Sequence, residues 1–71
     1  MTDIESGAMK IIEIIGVSPH SFEDAVNQAV SKAGESIKGI TGVEVISQSA
    51  EVKDATVSRY LVRVKLSFVV R

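Results

Sequence analysis

The sequence predicts an α+β fold: a β-α-β-β subunit with a three-stranded sheet wrapped on one helix, completed by assembly with further copies of itself. Three observations predict it. An isoleucine-rich run, Met9 to Val17, opens the ordered region. Apolar residues then recur at steps of three and four from Phe22 onward, the spacing of one helix face. Last, Tyr60, Val62, Val64, Leu66, Phe68 and Val70 alternate strictly, the period of a strand with one buried face. The chain has 71 residues, room for one domain, and its 45% hydrophobic content with a single proline is globular composition.

Residues 1–8 read as a flexible polar N-terminal arm and 9–71 as the folded domain. In the first strand Ile11 and Ile15 point to one face and Ile12 and Ile14 to the other, so both faces are apolar. Gly16 to His20 reads as a loop. Ser21 is suited to cap a helix N-terminus, and Glu23 and Asp24 suit the positive end of its dipole. The stripe Phe22, Val26, Ala29, Ala33, Ile37 and Ile40 predicts a helix of about 28 Å at 1.5 Å per residue. Gly34 costs roughly 1 kcal/mol relative to alanine inside it, and Gly39 and Gly42 bracket its end, where left-handed backbone is wanted.

Val43 to Val52 is a second strand whose parity changes midway. Val43 and Val45 alternate, whereas Ile46, Ala50 and Val52 take the opposite phase, which predicts a bulge or a strong bend. Lys53-Asp54-Ala55 is the turn, and Ser58 to Arg71 the third strand. Placing this most consistently apolar strand in the centre gives the order 1-3-2.

One helix covers one face of such a sheet and leaves apolar surface on the other. A domain near 60 residues buries only about 60% of the surface its unfolded chain exposes, and chains this short usually need a staple. With no cysteine and a single His20, disulfides and thiolate or histidine metal sites are excluded. Self-association remains. A net charge of −1 without a basic block gives nucleic acid no footing. No apolar run approaches the roughly 20 residues of a membrane span, and Met1 to Lys10 has no signal-peptide pattern. The expectation is a soluble, cytoplasmic protein.

The stretches Ile11 to Ser18, Ser21 to Ala25, Gly42-Val43-Glu44-Val45 and Tyr60 to Phe68, in that order and spacing, resemble the dodecins over Met9 to Val70. The resemblance implies a small β-α-β-β subunit assembled into a hollow homododecamer. It also implies where a flavin would bind. Most dodecins stack flavin rings on a tryptophan at the start of strand two and hydrogen-bond them with a glutamine just after the position of Tyr60. Here those positions hold Gly42 and Leu61, and the chain has no tryptophan. Glycine offers no stacking surface, and leucine no hydrogen bond. These departures resemble the flavin-free, calcium-binding branch of the family, so calcium is the expected cofactor and flavin is not.

Calcium takes six to eight oxygen ligands, and no EF-hand spacing is present to supply them locally. The candidate ligands are Glu51 and Asp54, flanking the turn, and Glu44, which matches a glutamate typical of the family. Solvated turn charges are the bland alternative for Glu51 and Asp54, and a salt bridge to an arginine of a neighbour is the alternative for Glu44. Glu13, alone on an apolar strand, is expected to pair with Arg63 or Lys65. His20, Ser21 and Asp24 lie too close in sequence to hold the through-space geometry of a catalytic triad, and no phosphate-binding glycine pattern is present. The leading expectation is therefore a non-enzymatic oligomeric shell that binds or stores divalent cations at subunit contacts. Its rivals are a flavin-binding dodecin with a different stacking residue such as Tyr60, and a purely structural assembly.

Overall fold

The computed structural model describes residues 6–70. The elements run β1 (Met9–Ser18), α1 (Phe22–Gly34), β2 (Ile40–Lys53) and β3 (Thr56–Val69). The sheet order is β1-β3-β2, with β3 antiparallel to both neighbours. β1 and β2 are therefore parallel to each other, and α1 makes the crossover that parallel strands require. Most of the predicted arm, residues 1–5, lies outside the described residues. At its end the carbonyl of Ala8 accepts a hydrogen bond from the Val70 amide at 3.0 Å, so pairing reaches the residue before β1.

β3 is central because it is apolar where it meets the helix. Val62, Val64 and Leu66 are fully buried, and Ala25 and Ala29 of α1 pack on them. Small alanines let the helix lie close. The approach is closest at Gly16 of β1, where a Cβ would sit 1.9 Å from the Ala25 carbonyl oxygen and 3.0 Å from the Ala29 Cβ. Gly16 is therefore part of the strand, which runs on to Ser18 where a loop was expected. Ser18 is buried and fully satisfied. Its hydroxyl donates to Asp24 Oδ2 at 2.6 Å and accepts from the His20 amide at 2.9 Å. Ser21 caps the helix as predicted, its Oγ accepting from the Asp24 amide at 2.9 Å.

The helix is shorter than its apolar stripe suggested. It ends at Gly34 after 13 residues. The amides of Glu35 and Ser36 bond three residues back, to Lys32 and Ala33 at 3.2 Å each, and this tightening closes the last turn. Gly39 then turns the chain with a left-handed φ of 80°. Ile40, predicted on the helix, is instead the first residue of β2, paired with Phe68, and still packs against the core. A residue that reaches the core from a strand mimicked the next position of the helical stripe.

β2 carries three register shifts against β3, at Ile40/Gly42, Val45/Ser47 and Glu51/Val52. The middle one falls where the parity of the sequence changes. At the hairpin tip Asp54 and Ala55 have φ of 53° and 61°. Two consecutive left-handed residues between the Lys53–Thr56 pair make a turn of type I′ character, which matches the twist of the flanking strands.

Candidate functional site

The face of the sheet turned away from α1 is where the sequence places its candidate residues. Ile11 (59% exposed) and Ile15 (48%) form an apolar stripe there, whereas Val43 (46%) stands opposite Leu66 and so shares the helix-facing side. Charged pairs cross the same open face. Arg63 Nη1 donates to Glu13 Oε2 at 2.9 Å, the predicted partnership, although Glu13 stands directly opposite Lys65 in the register. Nearer the tip, Arg59 grips Glu51 with two parallel bonds, Nε to Oε1 at 2.7 Å and Nη2 to Oε2 at 2.8 Å. This hydrogen bonding lowers the Glu51 carboxyl below its ordinary pKa and raises the Arg59 guanidinium.

The three candidate calcium ligands do not meet within one chain. Glu51 and Asp54 share the hairpin tip, while Glu44 pairs with Lys65, six residues from Arg59 along β3. At 3.4 Å per residue that is about 20 Å. The sequence does not reveal that Glu51 is already held by Arg59. Its cross-strand position is visible only once the register is known. Among the described residues, no three histidine, cysteine or acidic side chains come together. The carboxylates fit calcium in donor type, but one chain brings too few of them to one place.

The flavin positions are separated in the same way. Gly42 stands opposite Ser67 and Leu61 opposite Val17 and Ser49, again six residues apart along β3. A pocket using both would span two copies. Around Gly42 lies a shallow groove of about 240 Å³ lined by Ile11, Gly42, Val43, Glu44, Lys65 and Ser67, none of them aromatic. The aromatic rings belong to the other side. Tyr60 meets Phe22 edge-on at 4.9 Å and 77°, and Phe68 shares the parity of the buried β3 residues. The residues at this groove do not fit a stacked flavin. Ser21 Oγ accepts the Asp24 amide as the helix cap, and among the described residues no hydrogen bond links it to His20. No helix among the described residues is long and apolar enough to cross a membrane.

Comparison with known proteins agrees with this architecture. The chain is 39% identical over 62 residues to calcium dodecin of Mycobacterium tuberculosis, covering 87% of each sequence. A crystal structure of calcium dodecin from that organism, a calcium-chelating antigen with a calcium-binding site, superposes with a TM-score of 0.80 at 37% identity, over 92% of this chain and 93% of that one. Dodecin from Streptomyces coelicolor superposes with a TM-score of 0.91 at 25% identity, over 96% and 97%. The dodecin family model matches residues 8–71, the whole span from the end of the arm through the last strand. On sequence, topology and superposition together, this chain belongs to the dodecin family.

Proposed function

We propose that this dodecin is a non-enzymatic homododecameric shell that binds divalent cations, calcium first among them, at contacts between subunits. Similarity to a calcium dodecin over most of the chain carries the cation reading. The subunit contact is supported by the roughly 20 Å that separates Glu44 from the Glu51–Asp54 tip within one chain. Carboxylates so far apart can share one ion only if a neighbour brings its own. Calcium would supply charge neutralisation between like-charged groups of adjacent copies. Glu51, Asp54 and Glu44 would be its ligands. Within one chain Arg59 plays the cationic role at Glu51, so calcium competes there with an internal guanidinium.

Titration calorimetry with calcium tests the proposal on the parent and on a variant carrying Glu51→Gln with Asp54→Asn. The parent is expected to release or absorb saturable heat and the double variant to bind more weakly. Equal titrations would remove these two residues from the site. A parent without calcium heat or a calcium-dependent melting shift would remove the cation itself. No flavin affinity is expected, and saturable quenching of riboflavin fluorescence by the parent at micromolar protein would overturn that.

A further inference from the structure

α1 covers only part of its own side of the sheet. Ala25 and Ala29 pack on Val62, Val64 and Leu66 of β3, and Ile12 and Ile14 of β1 close around them. From β2 that core takes Ile40, where the strand begins. Further along β2 the helix side is bare. Val43, Val45, Gln48 and Ala50 stand opposite Leu66, Val64, Val62 and Tyr60, so they share the side of the buried β3 residues. Val52 follows Glu51, which faces Arg59 across the strands on the open face, and so alternates back to the helix side. All five are exposed. They form a strip about 30 Å long at 3.4 Å per residue. The strip is uncharged, because the carboxylates Glu44 and Glu51 lie on the opposite side of β2. Its one polar residue is Gln48, at the middle.

We propose that this strip is a contact between two copies of the chain related by a twofold axis, strip against strip, with Gln48 of one copy meeting Gln48 of the other. The proposal rests on the assembly reading above and names a surface that carries it. Three features commit the strip to a second copy. An uncharged surface needs an uncharged partner, since a charge pressed against it loses water without gaining a counter-ion. A twofold contact supplies that partner from the same residues, because it sets a patch against itself. The amide suits the centre of such a contact. It carries donors and an acceptor, so two amides across the axis satisfy each other. A purely apolar occupant would instead leave the Gln48 amide buried and unpaired, which is costly. The space also matches. Packed sheets lie about 10 Å apart, and a helix is about 10–12 Å across. A strand of the second copy therefore fits the layer that α1 occupies beside the strip.

Native mass spectrometry of the parent, Gln48→Glu, Gln48→Lys and a co-refolded equal mixture of the two variants tests this. Gln48 is exposed within one chain, so each variant is expected to keep the parent's circular dichroism spectrum. Each alone sets like charges together at the axis. Each is expected to dissociate into smaller species at a concentration where the parent holds twelve chains, an affinity loss of at least about a hundredfold. The mixture is expected to regain twelve chains, with opposite charges facing across the axes. Gln48→Met keeps the side-chain length without charge and is expected to stay assembled. Parent-like assembly of either charged variant overturns the inference. Failure of the mixture to reassemble overturns it as well, and sets the strip against another surface or another partner. Loss of the folded spectrum by a charged variant, or dissociation of Gln48→Met, also contradicts an uncharged contact between copies. A parent found as a single chain overturns the assembly reading and the contact together, whereas an assembled parent leaves the variants to decide the contact alone.

Discussion

Two residues define what single side chains do here. Gly16 lets the strand touch the helix backbone, and a methyl group there would enter the Ala25 carbonyl. Gly16→Ala is expected to destabilise by at least about 1–3 kcal/mol, the usual cost of overpacking, which a denaturant melt would register as a lower midpoint at unchanged slope. Sequence alone shows a glycine after an isoleucine run. It cannot show that the glycine faces a helix, so the position read as a loop. Glu51 is the other case. Its carboxyl is held below the ordinary glutamate value by hydrogen bonding to Arg59. A lowered folded-state pKa contributes stability that is fully present above the unfolded-state value and is lost as pH falls through the folded one. Both side chains are exposed, so that contribution is small. Arg59→Gln should therefore remove a minor acid-side dependence of the melting midpoint. The same change should tighten calcium binding several-fold, because it frees Glu51 of its internal cation. Unchanged or weaker calcium affinity in calorimetry would exclude Glu51 as a ligand in competition with Arg59.

Elements were legible where periodicity alone decides them. The alternation of β3 placed Val62, Val64 and Leu66 inside, and the parity change in β2 located the bulge between Val45 and Ser47. The helix was legible in its start and its face but not its length. Ile37 and Ile40 continue the stripe, yet Ile40 serves the core from β2. The face itself is tested by Ala29→Asp, because Ala29 is 3% exposed against the core. An unpaired buried charge costs several kcal/mol, comparable to the stability of a small domain. The variant is expected to lose its cooperative thermal transition, and retention of a parent-like transition by circular dichroism would contradict the packing. At the hairpin, Ala55 holds a left-handed φ of 61° that glycine adopts without strain. Ala55→Gly should stabilise by about 1 kcal/mol. A lower melting midpoint would mean that the turn relaxes in solution to a form without that strain.

At the scale of the molecule, the helix covers one face and part of the sheet's length. The structure measures 50 × 20 × 16 Å, and its radius of gyration of 14.4 Å exceeds the about 11 Å of a compact 71-residue domain. Ile11, Ile15, Val43, Val45, Ile46 and Val52 are each at least 42% exposed. Apolar surface of this kind marks an interaction site. The sequence foretold it, because isoleucines of both parities in β1 cannot all face one helix. What it could not foretell is which carboxylates approach one another, since that depends on how copies are placed and not on the pattern within one chain. Native mass spectrometry with and without added calcium tests the central claim most directly. The account predicts an assembly of twelve chains that gains mass in calcium increments and loses them when dissociated to single chains. A folded single chain at micromolar concentration, or an assembly whose mass is indifferent to calcium, would contradict it.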